Sequence, residues 1–191
     1  MNFFLSGLSI LCLGAFLSVL TTRSRLFSGI VFLVTLISGC LLGATAALGV
    51  LIHRIPVVYR WDFRMPLGEF YIGLEPLGAF FLLAIAVLFL LAGIYGYGYL
   101  KDDAKRNLSA HYALYHFLLI SLMLVVTAQN AVLFLVAWEM MALSSYFLIT
   151  FYDEREAVRK AGYLYLIATH TGTFCLWIMF LLMARQAGSM N

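Results

Sequence analysis

Three apolar stretches of this chain each carry a protonatable group near mid-length, and proton chemistry is what such groups can do there. They are His116 in ALYHFLLISL, Glu139 in VAWEMMALSS and His170 in LIATHTGTFC. At a helical rise of about 1.5 Å per residue, Glu139 lies about 12 Å along its run from Ala131, near the centre of an apolar layer about 30 Å thick. A carboxylate at that depth costs about 3 to more than 10 kcal/mol, so it must find a partner, find water or hold a proton. His116 and His170 lie about 12–14 Å into their own runs from the inner side, at a similar depth. An imidazole can pass a proton near neutral pH, so a lateral relay or a wetted half-channel gated by Glu139 follows. The alternative is that each histidine simply hydrogen-bonds a neighbouring helix, with Tyr112 one turn before His116 as an adequate partner. A purely structural role for Glu139 is the corresponding alternative there.

Other polar residues near these three have blander readings beside the functional ones. Lys160, next to Arg159 at the mouth of the sixth run, can snorkel to the interface or serve the proton path as an accessory. Trp138 and Tyr146 flank the acid on its own helix, Tyr146 on the same face seven positions on, and core packing competes with a direct role. Ser144 and Ser145 suit the small polar contacts between membrane helices. Thr169, Thr171 and Thr173 could order water around His170 or satisfy its ring.

The elements that must position these groups follow from composition. Of 191 residues 64% are hydrophobic and 11% charged, which is too few charges to clothe a water-soluble surface. The apolar residues come in long runs broken by short charged clusters, the mark of an all-α membrane protein. Six transmembrane helices are expected, at about 2–21, 26–52, 77–100, 108–128, 131–151 and 161–183, in one integral-membrane domain. The first run has no basic residue before Arg23, which suits an uncleaved first helix rather than a leader peptide. Gly39, Gly43 and Ala47 recur every four residues on the second helix and predict close helix packing. Cys12, Cys40 and Cys175 are read as small core residues, since no two have metal-site or disulfide-like spacing.

One long connection, about residues 53–76, holds all three prolines. Tyr59, Trp61, Phe63 and Met65 alternate there with Arg60, Asp62 and Arg64. That period of two predicts a strand pairing with Phe70–Leu74 across Pro66-Leu67-Gly68; aromatic anchoring at the interface is the alternative. Gln129 and Asn130 make a tight turn, so the fourth and fifth helices are expected to be antiparallel neighbours. Arg23, Arg25, Lys101, Lys105, Arg106, Arg155, Arg159 and Lys160 fall in loops on one side, against Arg54, Arg60, Arg64 and Arg185 on the other. The positive-inside rule then puts both termini and the hairpin outside, in a multi-pass protein of the cell inner (cytoplasmic) membrane.

AVLFLVAWEMMALSSYFLITFYD followed by KAGYLYLIATHTGT resembles the antiporter-like proton-translocating membrane subunits found in respiratory complex I, cation/proton antiporters and membrane-bound hydrogenases. Within them it is similar to the hydrogenase-4 component B and formate hydrogenlyase type, over the amino-terminal part of such subunits. The likeness is strong over about residues 108–191, and GLEPLGAFF extends it to the entry of the third helix. The resemblance implies that Glu139 is the family's essential fifth-helix glutamate, coupled in relatives to a lysine on a later helix. It also implies companions: other membrane subunits and a redox arm with iron–sulfur and nickel–iron centres or an NADH-oxidising site. Relatives continue well past a sixth helix, so the partner lysine is expected from another chain, or this is a shortened product.

The leading expectation is therefore a proton- or cation-translocating subunit of a redox-driven complex. A structural docking subunit and an autonomous small channel are the alternatives. No nucleophile–base pair, metal set or nucleotide motif is present, so any oxidoreductase activity would belong to the complex and no cofactor is expected in this chain. The cations report topology and give no reason to expect nucleic acid; the lipid bilayer is the expected surrounding.

Overall fold

The computed structural model describes residues 2–21, 24–65, 68–100 and 108–187. Six helices long and apolar enough to cross a membrane account for most of them, as the composition requires. They are α1 (Asn2–Leu20), α2 (Arg25–His53), α3 (Pro76–Leu100), α4 (Leu108–Val125), α5 (Ala131–Ile149) and α6 (Glu156–Ala187). Helices satisfy every internal backbone group within one segment, which an apolar medium demands.

Helix α1 packs on α2 and α4, α2 also on α3, α4 on α5, and α5 on α6. Gly39 faces Leu11 of α1, with 2.5 Å between its would-be Cβ and the leucine, and Gly43 faces Met123 of α4 at 3.2 Å. The four-residue spacing of small residues on α2 thus does the packing expected of it. Only Cys40 joins the core; Cys12 and Cys175 are exposed on the outer faces of α1 and α6. The thiol is apolar enough to sit on a lipid-facing surface as readily as in a core.

The long connection is a hairpin, with β1 (Val57–Met65) antiparallel to β2 (Gly68–Leu74) and an irregularity in register between Arg60 and Arg64. Pro66 and Leu67 of its expected turn lie outside the described residues. The turn between α4 and α5 pairs with the hairpin: Ile72 bridges Ala128, Gly73 N–H donates to Thr127 O at 2.8 Å, and Gln129 N–H donates to Tyr71 O at 3.4 Å. Helix α4 ends at Val125, short of Ala128; the N–H groups of Thr127 and Ala128 still donate back to Leu124 O, while Thr127 O and Gln129 N–H turn to β2. Helix α6 begins at Glu156, earlier than its apolar pattern. Lys160 and Glu156 close an i,i+4 pair at 2.8 Å, and an acid in the first turn suits the helix dipole. Four of the eight cations counted on the inner side, Arg23, Lys101, Lys105 and Arg106, lie outside the described residues.

Candidate functional site

Asn130 starts α5 as its N-cap, its side-chain oxygen accepting from the N–H groups of Val132 at 2.9 Å and Leu133 at 3.3 Å. The tight turn makes α5 antiparallel to α4, and the 3-10 turn Thr150–Tyr152 then sends α6 back along α5. Three contacts give the register of this last seam. Phe134 meets Phe180 edge-on at 5.6 Å between centroids, Glu139 meets His170, and Gly162 lies against the Tyr146 ring and Thr150. A Cβ at Gly162 would stand 3.3 Å from Tyr146 Cε2, so the glycine is what lets the helices close there.

Glu139 Oε2 lies 3.5 Å from His170 Nε2, with the two side chains 30% and 48% exposed in this chain. His170 Nδ1 sits 2.9 Å from Leu166 O. A carbonyl oxygen only accepts, so Nδ1 carries hydrogen and Nε2 is the nitrogen turned to the carboxylate. One proton in the gap can then be written as carboxylic acid with neutral imidazole, or as carboxylate with imidazolium. Thr169, Thr171 and Thr173 hydroxyls donate to carbonyls of their own helix, at Tyr165, Ile167 and Thr169.

His116 is in a different place. It is wholly buried between α4, α2 and α1, with Nδ1 2.8 Å from Tyr112 O and Nε2 2.9 Å from Thr35 Oγ1. Its partner on Tyr112 is the backbone carbonyl, and Phe32 packs edge-on against the ring at 5.3 Å. A Cβ at Gly14 would fall 2.8 Å from Nε2, so α1 closes the site with a glycine. Nδ1 must again carry hydrogen; the threonine hydroxyl also lies 2.7 Å from Val31 O, so its one hydrogen goes either to that carbonyl, its oxygen then accepting from a protonated Nε2, or to a bare Nε2. Thr35 and Gly14 were not legible as partners, because the contact joins residues 81 positions apart. A second overlooked group is His111, whose buried Nδ1 has no hydrogen-bond partner among the described residues and whose ring lies 4.6 Å from that of Phe151.

The accessory candidates are placed as follows. Lys160 is exposed and paired with Glu156. Trp138 stacks on Phe134 at 5.6 Å, one turn back on α5. Tyr146 lines the α5–α6 seam on the face that also carries Glu139. Ser144 is buried and donates to Met140 O at 2.6 Å.

Comparison with known proteins bears out the resemblance. The family profile described as NADH:quinone oxidoreductase/Mrp antiporter, TM, matches residues 128–191, the segment that carries Glu139 and His170. Hydrogenase-4 component B of Escherichia coli is 28% identical over 137 residues, covering 72% of this chain and 20% of that protein. NADH-quinone oxidoreductase subunit L of Mycobacterium tuberculosis is 32% identical over 109 residues, covering 55% of this chain and 16% of that one. The chain therefore spans about a fifth or less of the length of these relatives. A chain of the membrane-bound sulfane sulfur reductase, an archaeal respiratory membrane complex, superimposes on all of this one at a TM-score of 0.85. It is 16% identical, and 39% of it is covered, so this likeness speaks to fold.

Proposed function

We propose, on the premise that the chain belongs to the antiporter-like membrane subunits, that it is a proton- or cation-translocating part of a redox-driven complex. Glu139 is the group that carries the proton, and His170 is its exchange partner. The observation that carries this reading is the 3.5 Å approach of the two across the α5–α6 seam. Taking up a proton gives carboxylic acid beside imidazolium, a net charge of +1; releasing one leaves carboxylate beside neutral imidazole, a net charge of −1. Both states are costly in a low dielectric, so a charge moving in a neighbouring subunit can drive uptake and release in turn. Glu139 and His170 are partly exposed, so completing the path requires polar groups or water from outside these six helices. The companions are other membrane subunits and an arm with iron–sulfur and nickel–iron centres or an NADH-oxidising site, in the inner membrane.

A second reading, a docking subunit without transport of its own, is favoured by α6, which packs chiefly on α5 and leaves most of its length uncovered. The deciding experiment places Glu139→Gln and His170→Gln in the chain within its native complex, and measures ion movement per electron in vesicles together with assembly. Loss of ion coupling with assembly intact supports translocation, His170→Gln having the smaller effect because the carboxyl group can still hold the proton. Unchanged coupling in Glu139→Gln supports docking.

A further inference from the structure

On the hairpin side of the bundle, away from Glu139 and His170, the start of α1, the end of α2 and the hairpin border a half-open cavity of about 300 Å³. Its wall is apolar, from Phe3, Val50, Val57 and Leu74, and His53 stands as the basic group in the lining. The volume is at the lower end of small-molecule sites and suits a stretch of one hydrocarbon chain better than a bulky ring system. The place also fits such a ligand, because the membrane-crossing helices end here and the hairpin begins.

A backbone feature points to the polar end of the ligand. Arg54 follows His53 and precedes Ile55, both lining residues, and it caps α2 with φ 55° and ψ 24°, its N–H donating to Val50 O. Among the described residues it is the one non-glycine with positive φ. Glycine is the usual occupant of such a cap, and an L-residue there costs about 1 kcal/mol. A strained cap that keeps an arginine suggests a use for the side chain. Arg54 is the sequence neighbour of His53, and a guanidinium and an imidazole together can bind phosphate, the guanidinium offering a fork that matches phosphate oxygens.

We infer that this cavity is a phospholipid site, one acyl chain entering between α1, α2 and the hairpin and the phosphate meeting Arg54 and His53. The glycines supply a clean test. A Cβ at Gly49, in the cavity wall, would meet nothing within 4 Å, and the same holds at Gly96 on α3, which is not part of the wall. Gly49→Leu should thus fill the cavity without a clash, and Gly96→Leu adds the same side chain elsewhere.

The whole chain, purified in non-ionic detergent, is titrated with phosphatidylglycerol and its adducts counted by native mass spectrometry. Gly49→Leu should weaken the first adduct by about tenfold or more, and Gly96→Leu should leave it unchanged. Arg54→Gly, which relieves the backbone, should keep or raise the melting temperature yet weaken the adduct several-fold. Equal binding by Gly49→Leu and the unaltered chain would overturn the site, and unchanged binding by Arg54→Gly would overturn the phosphate assignment. A phospholipid with a photoreactive acyl chain should label the Phe3 and Val50 peptides. Labelling confined to other peptides, or an isoprenoid quinone bound in place of phospholipid, would also overturn the proposal.

Discussion

His116 and His170 show how one residue type takes different duties from its surroundings. His170 turns its free nitrogen to a carboxylate and stands half open to whatever covers α6. His116 turns the same nitrogen to a threonine hydroxyl in a site closed on all sides. Thr35→Val should leave Nε2 buried without that partner and cost about 1–3 kcal/mol, read as a lower denaturant midpoint in mixed micelles. Gly14→Leu should cost at least as much by overpacking, since its Cβ would lie 2.7 Å from Thr35 Cβ and 2.8 Å from His116 Nε2. Both variants should leave the Glu139–His170 seam formed, because α5 and α6 do not build the His116 site. That each of the three groups falls near the middle of its helix was legible from run lengths. Which pairs meet was not, since depth fixes position along the membrane normal and says nothing of rotation about each helix axis.

At the scale of elements, helix existence was legible and helix ends were less so. An apolar run reports the portion that faces lipid or core, whereas α6 starts among Glu156, Arg159 and Lys160 through local charge pairing that hydropathy does not register. The turn after α4 likewise pairs with a partner distant in sequence, the edge of β2. The start of α5 is the opposite case, decided locally by Asn130. Asn130→Ala should cost about 1 kcal/mol through loss of the cap, measurable as a lower unfolding midpoint, and Asn130→Asp should restore most of it. The alternation in residues 59–65 announced β1, because a period of two survives even in a short connection.

On the whole-molecule scale the bundle is uneven. Helices α1, α2 and α4 share a core around Leu11, Leu36 and Leu119, whereas α6 lies at one edge. Cysteine positions turn that unevenness into a measurement. In the isolated chain in detergent, Cys175 should react with a small maleimide and the buried Cys40 should not. Within an assembly, Cys175 should become protected if a companion covers α6, and protection would report the surface that the proposed Glu139–His170 path requires.

The pairing of β2 with the turn between α4 and α5 has a consequence for biosynthesis. Gly73 and Gln129 are 56 positions apart, and between them lie two whole membrane spans that must be made and inserted before the contact can form. During that interval the hairpin exists with one edge unfilled, and an open edge is a template for the wrong strand. A nascent chain with α4 and α5 still on the ribosome is therefore most vulnerable to aggregation at β2. Gly73→Val, whose Cβ would come 2.7 Å from Gln129 Cγ, should prolong that exposure and lower yield more than it lowers the stability of molecules that do mature. Closing this strand edge is a late step, open to the chain only once its first four helices and the turn after them have been made.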